Sequence, residues 1–366
     1  MPIYMDVHIV PGIKARDAAE AHRKDVSIQE EYSCKCMTYW IDEKRENVFC
    51  LIEAPEKHVV EEMHHHAHGL IPHKIIEVSS MLVESFLGRT NDPQEAEISK
   101  DGLKIFHEPS FRTLLVTKII DPVLLQYQLG ENKANKLLNR HNNVIRENLA
   151  AHAGREAAFE TNGFVASFTS ALKAVTCALE IQKDLADEEM RSLGFRMGMH
   201  AGEPVTKNEK LFGDTIQLAR RICMLDKQHQ VAVTSTVKEH VPPNYFQNYS
   251  KNILVLSPRE EILIDALFNT LEENYADPDL NVTDYCQKMA MSKSQLYRKT
   301  IELFGLSPNA LLKEFRLDKA KELLNKQRYN ISEITFDTGF TSPSYFTKCF
   351  KKKYGLLPIT YLELSH

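Results

Sequence analysis

Gly339-Phe340-Thr341-Ser342-Pro343-Ser344-Tyr345-Phe346-Thr347-Lys348-Cys349-Phe350-Lys351 reads as a turn followed by a helix. Gly339 supplies the turn, Ser342 is a helix N-cap, and Pro343 takes the first helical position, where its missing N–H removes no hydrogen bond. The helix is expected to continue to Tyr354, with Lys348, Lys351, Lys352 and Lys353 on its polar positions and Tyr345, Phe346 and Phe350 in the core. Residues 331–338 just before it have the pattern of a short helix, so the pair outlines a helix-turn-helix. Upstream, Ser307-Pro308 opens a longer helix through Leu324. Before that, the outline occurs a first time: a helix over 281–289, the turn Ala290-Met291-Ser292, and a second helix from Lys293 to Phe304. This helix carries Lys293, Ser294, Gln295, Arg298 and Lys299 on polar sides and Leu296, Ile301 and Phe304 toward a core. The spacing therefore predicts two helix-turn-helix units on one connecting helix.

Charge agrees with that outline. From Lys288 to Lys353 there are fourteen Lys or Arg against six Asp or Glu, whereas residues 259–284 hold one basic and eight acidic residues. A basic block in a chain of net charge -5 is a footprint for a polyanion such as double-stranded DNA. The 366 residues, 43% hydrophobic and 26% charged, imply two or three folded domains and exclude a fibrous or disordered chain. No apolar run reaches the ~20 residues of a membrane helix, and Met1-Pro2-Ile3-Tyr4-Met5-Asp6 lacks the start of a signal peptide, so a cytoplasmic protein without a membrane partner is expected. Seven cysteines without paired CxxC spacing argue for reduced thiols. Polar stretches divide the chain into 1–88, a linker at 89–110, 111–250, and 258–366.

Residues 258–366 resemble the AraC-type DNA-binding domain. The words that carry this are Asp284-Tyr285-Cys286-Gln287-Lys288-Met289-Ala290-Met291-Ser292, Gly305-Leu306-Ser307-Pro308 and the stretch from Gly339, closing with Gly355 and Pro358. The resemblance implies an all-α double helix-turn-helix whose base-reading residues are Ser292, Lys293, Ser294, Arg298, Ser342, Ser344, Thr347 and Lys348, with Lys299 and Lys351 on phosphates.

In the middle third, a strand over 113–117, a helix through Leu137–His141, a hairpin over 159–168, a helix over 171–185, a strand over 195–200 and a helix from Asp214 outline an α+β sheet with helices on one face. Met197-Gly198-Met199-His200-Ala201-Gly202-Glu203-Pro204 and Phe212-Gly213-Asp214-Thr215-Ile216-Gln217-Leu218-Ala219-Arg220-Arg221 resemble the catalytic domain of adenylate and guanylate cyclases. Those enzymes hold two divalent ions with two aspartates, because a triphosphate needs hard cations on carboxylate oxygens. Here the two positions are Lys118 and Asn162, the family's asparagine falls at Gln217, and its arginine is retained as Arg221. The resemblance thus implies a non-catalytic domain that pairs protomers into a homodimer. The alternatives are a nucleotide-sensing groove around Lys118, Asn162 and Arg221, or an active cyclase using Asp121 as a substitute ligand.

The first third reads βαββαβ, a ferredoxin-like order. His8, His22, His58, His64, His65, His66 and His68 and three cysteines precede residue 70. His64 and His68, at i and i+4, share a helix face within reach of one ion, and His8 and Cys50 come from strands that neighbour each other in this fold. Tyr4-Met5-Asp6-Val7-His8, Ala21-His22-Arg23-Lys24-Asp25, Val48-Phe49-Cys50-Leu51-Ile52-Glu53-Ala54-Pro55 and His64-His65-His66-Ala67-His68-Gly69-Leu70 resemble a small family related to a bacterial nickel-binding protein. That resemblance implies metal roles for His8, His22, Cys50, His64 and His68. Imidazole with thiolate favours Ni, Zn, Cu or Co without ranking them. Together the three readings give an expectation of a DNA-binding transcriptional regulator, not an enzyme, whose effector is a transition-metal ion; a small-molecule effector has no identity from sequence.

Overall fold

A computed structural model of the chain describes every residue except 161, 226–230, 328 and 366, so Thr161 of the expected hairpin lies outside the described residues. The first unit runs β1 (Ile3–Ile9), α1 (Ala15–Ile28), β2 (Lys35–Asp42), β3 (Asn47–Glu53), α2 (Lys57–His68) and β4 (Lys74–Val78). Its antiparallel sheet has the order β2-β3-β1-β4. Side chains alternate with the pleat: Tyr4, Ile41, Val48, Cys50 and Ile52 share a core with Ala18, Val60 and Met63 of the two helices. Met5, Val7, Trp40, Phe49 and Leu51 go to the opposite face.

That opposite face is covered by the second unit. After α3 (Ser80–Leu87) and a short hairpin, β5 (Glu97–Ile98) and β6 (Lys104–Ile105), come β7 (Arg112–Lys118), α4 (Pro122–Leu129), α5 (Glu131–Ala151), β8 (Arg155–Glu160), β9 (Gly163–Phe168), α6 (Ala171–Asp184), α7 (Glu188–Arg191), β10 (Arg196–Gly202), α8 (Gly213–Ile222), β11 (Val231–Val233), α9 (Ser235–Glu239), α10 (Pro243–Asn248) and β12 (Ile253–Val255). The six strands are ordered β12-β11-β10-β7-β9-β8. Leu115, Phe164, Ala166, Met197 and Met199 face α5 and α6, whereas Leu114, Val116 and Val165 pack with Met5, Val7, Phe49 and Leu51 of the first sheet. The layers are thus helices, four-stranded sheet, six-stranded sheet, helices. Helix α8 seats beside the inter-sheet core because Gly198 of β10 has no Cβ; one added there would meet the Ala219 carbonyl oxygen at 2.4 Å.

Two expectations change. Residues 89–110 are not a free tether: Leu103 and Phe106 are buried in the first unit, and Arg89 donates to Thr38, to the Tyr39 carbonyl and to Glu108. The middle unit also extends past residue 250, since β12 pairs with β11. Polarity suggested a linker where apolar residues are too sparse to show a period.

The last unit is helical: α11 (Pro258–Asn274), α12 (Val282–Lys288), α13 (Lys293–Phe304), α14 (Pro308–Asn325), α15 (Ile331–Asp337), α16 (Pro343–Tyr354) and α17 (Pro358–Leu364). Side chains of Asn281, Ser292, Ser307, Asn330 and Ser342 cap α12 to α16 in turn. Each half has its own core. That of α12 and α13 includes α11 and Ile222, Leu225 and Ala232 of the middle unit; that of α15 and α16 includes α17 and Leu124 of α4. Among the described residues no helix is long and apolar enough to cross a membrane.

Candidate metal centre and nucleic-acid interface

Asp6 and Cys50 face each other across the β1–β3 ladder, and His8 lies two residues further along the same face of β1. Helix α2 sets His64 and His68 one turn apart, and α1 brings Asp25 to them. His64 Nε2 lies 2.9 Å from Asp6 Oδ2 and its Nδ1 3.0 Å from Asp25 Oδ1. His68 Nε2 lies 3.1 Å from His64 Nδ1 and 3.3 Å from Asp25 Oδ2, while its Nδ1 accepts from the Leu70 N–H. One ligand atom each from Asp6, His8, Cys50 and His64, all buried, falls within 4.8 Å of the others, and so do those of Asp25, His64 and His68.

Electrostatics make this a site held in tension. Burial by itself would depress the His64 imidazolium, but the Asp6 and Asp25 carboxylates outweigh it and push its pKa up to about 10. Burial would raise Asp6 and Asp25; instead the histidines beside them hold both below the usual carboxylate range. Burial, and then the charges of Asp6 and Asp25, push the Cys50 thiol well up. His8 is the exception to mutual satisfaction. Its Nε2 comes to 3.4 Å from Asp6 Oδ1 without hydrogen-bond geometry, so both ring nitrogens are buried with no hydrogen-bond partner among the described residues. Such an orphan ordinarily costs about 1–3 kcal/mol. Beside it is a cavity of about 20 Å³, lined by His8, His22, Asp25, Cys50 and His68 among others, with room for one water-sized occupant. Imidazole, thiolate and carboxylate donors around an ion-sized space fit a first-row transition metal, which would act here as a charge that binds the deprotonated ligands together.

Four of the five residues singled out from sequence, His8, Cys50, His64 and His68, fall within these groups. His22 does not: it lines the cavity, but its Nε2 lies 3.7 Å from Asp92 and its ring packs on Tyr39. Asp6 and Asp25 were missed. The signal was present, because Asp6 shares the strand parity of His8 and Asp25 stands one helical turn after His22.

Of the three residues expected to form a nucleotide groove, Arg221 is engaged elsewhere. Arg221 is only 3% exposed, and its guanidinium is spent on α11, pairing with Asp265, with Asn269 at 2.7 Å and with Glu272 at 2.9 Å. Gln217 joins it on Glu272 at 3.0 Å. Asn162 donates to the Ile119 carbonyl, and Lys118 ends β7. Asp121, the substitute ligand considered, caps α4 and binds Lys321 at 2.9 Å and the Tyr361 hydroxyl at 3.0 Å. Sequence reading missed this because α11, reaching back from the next unit, supplies the partners.

On the helical unit, Lys293, Ser294, Arg298, Ser344, Lys348 and Lys351 are exposed on α13 and α16, and Thr347 is half-buried. The hydroxyls of Ser292 and Ser342 accept from the Gln295 and Tyr345 N–H groups as caps, and Lys299 pairs with Glu302 at 2.8 Å. Lys353 is held by Asp318 and Glu314. Phe346 and Phe350 are buried as expected, but Tyr345 is 51% exposed and Tyr297 55% exposed, so α13 and α16 each present an aromatic ring beside their cations. Ile301 is likewise exposed, not in the core.

With the geometry in place, two family models match parts of the chain: a helix-turn-helix domain over residues 285–363, and the nickel responsive protein SCO4226-like family over residues 4–78. Histidine kinase P4 of Formosa agariphila is 34% identical over 108 residues, 30% of this chain and 8% of that protein. The HTH-type transcriptional activator RhaR of Salmonella dublin is 29% identical over 134 residues, 36% of this chain and 43% of that protein. Among solved structures, the guanylyl cyclase Cya2 is 21% identical, with a TM-score of 0.32 over 36% of this chain and 78% of its own. The chain thus spans less than half the length of both curated relatives. The class these matches define is a multidomain chain with an AraC-type helix-turn-helix unit at its C-terminal end. The particular combination is that unit together with a region similar to the nickel responsive SCO4226-like family over residues 4–78.

Proposed function

We propose that this protein is a DNA-binding transcriptional regulator whose effector is a transition-metal ion bound in the first unit. The observation that carries the reading is His8: a buried imidazole with neither nitrogen hydrogen-bonded among the described residues, in reach of Asp6, Cys50 and His64 beside an ion-sized cavity. Asp6, His8, Cys50 and His64 would hold the ion, with Asp25 and His68 orienting His64 from behind. The middle unit is read as non-catalytic, supported by Lys118 and Asn162 at the metal positions and by the engagement of Arg221 and Asp121 elsewhere. Pairing of two protomers stays part of the reading. It has to use a surface other than the sheet face that Leu114, Val116 and Val165 give to the inter-sheet core.

The test is elemental analysis and titration of the full chain with Ni²⁺, Zn²⁺, Cu²⁺ and Co²⁺, repeated on His8→Gln/Cys50→Ser, followed by selection of a DNA site and its titration with and without the preferred ion. Stoichiometric binding lost in the variant, with DNA affinity changed by the ion, supports the reading. Equal binding by variant and parent removes the site; DNA affinity indifferent to the ion removes the effector role.

A further inference from the structure

A second, larger cavity lies in the middle unit, at the end of the helical layer where α6, α7 and the start of β10 meet β12. Its volume is about 410 Å³, against about 20 Å³ beside His8. The first accepts an ion; the second is in the range, roughly 300–1,000 Å³, that small organic ligands occupy. Twelve residues line it, and they include Lys183, Arg191 and Arg196 but no carboxylate. Met190, Phe195 and Met197 supply an apolar part of the wall.

The charge imbalance is local and built. The surrounding sequence is acidic, with Asp184, Asp187, Glu188 and Glu189 in one short run. Three of these are turned to α5 instead: Asp184 accepts from Asn148 at 3.0 Å, Asp187 from Arg140 at 2.6 Å, and Glu189 lies 3.9 Å from Lys133. Among the described residues Lys183 and Arg191 have no ion pair, whereas Arg196 at the rim donates to the Met224 carbonyl at 3.5 Å. Cations without counter-charge around an apolar wall select an anion with an apolar body, because the wall removes the body from water while the cations take its charge.

We infer that this cleft is a binding site for a small organic anion, a carboxylate, sulfonate or phosphate carried on an apolar or aromatic body. The site is distinct from the candidate metal centre and from Arg221, while Arg196 at its edge stands opposite Lys118 in the β7–β10 ladder. It also abuts the segment that leads into α11, since Asn252 lines the cleft and precedes β12.

The test uses 8-anilinonaphthalene-1-sulfonate titrated into the full chain, followed by fluorescence. One saturable site per chain is expected, with affinity falling as salt rises. Lys183→Glu/Arg191→Glu, both at exposed positions, should keep the parent melting midpoint and metal binding and weaken the probe by about tenfold or more. Leu179→Trp, which narrows the cleft without altering charge, should weaken it similarly, so the result does not hang on one variant. Uncharged N-phenyl-1-naphthylamine should bind the parent at least about tenfold more weakly than the sulfonate. Absent or unsaturable binding, unchanged affinity in both variants, or equal affinity for the neutral probe would overturn the assignment, whatever the metal titrations show.

Discussion

His64 is clamped between Asp6 and Asp25, and the two carboxylates favour its charged form. Its folded pKa is raised, to about 10, so its contribution to stability is fully present below the unfolded value near ~6.5 and is lost as pH climbs through about 10. A metal ion must displace that proton, and the proton of the Cys50 thiol, before it binds. Metal binding at pH 7.5 is therefore expected to release at least about one proton per ion, and affinity to rise with pH across the window between those two values. Calorimetry in two buffers of different ionisation enthalpy measures this directly; zero release would exclude His64 and Cys50 as ligands. His8 gives the complementary prediction. Its ring has two buried nitrogens with no hydrogen bond among the described residues, so His8→Phe should leave stability within about 1 kcal/mol of the parent or raise it, while abolishing the gain in melting midpoint from metal. A large loss of metal-free stability would mean that His8 is a packing residue.

Helix α8 owes its position to Gly198, because an added methyl would press on the Ala219 carbonyl and on Ile222. Gly198→Ala should cost about 1–3 kcal/mol in urea unfolding, the penalty of an overpacked core. A cost near zero would show that the helix seat yields. Helices α13 and α16 share a plan, each with a capping serine and a second serine two residues later, but Arg298 in the first corresponds to Lys348 in the second. A guanidinium can grip a guanine edge with two hydrogen bonds and an ammonium cannot. Arg298→Ala is accordingly expected to lose about 1–3 kcal/mol at one base position, whereas Lys351→Ala should weaken all sequences alike and lower the salt slope by about one. Comparing affinities on single-base variants of a selected site separates the two; a uniform loss for Arg298→Ala would demote it to a phosphate contact.

At the scale of the molecule, β1 and β3 carry Asp6, His8 and Cys50 on one face and Met5, Val7, Phe49 and Leu51 on the other, packed with Ala219 and Cys223 at α8. The same helix grips α11 through Gln217 and Arg221. Packed side chains thus run continuously from the candidate metal centre to the first helix-turn-helix. Arg221→Met should leave metal affinity intact but reduce the effect of metal on DNA affinity; an unchanged effect would exclude this contact as the link. Trp40, the single tryptophan, is buried in the inter-sheet core, so its emission should shift to longer wavelength in any variant that parts the two sheets.

The helix-turn-helix pair was legible in the sequence because caps, turns and core positions there all lie within a few residues of one another, as Ser342, Gly339 and Phe346 do. The βαββαβ order and the helical pair His64 and His68 were legible for the same reason. Asp6 and Asp25 lay in the sequence with the right parity, yet only β1, α1 and α2 packed together make carboxylates of distant segments the partners of one imidazole. The fate of Arg221 depended wholly on tertiary structure: its chemistry is that of a phosphate ligand until α11, some forty residues later, neutralises it. Local periodicity determines elements because their hydrogen bonds are local; a buried charge takes its role from whichever groups the completed fold brings within a few ångströms of it.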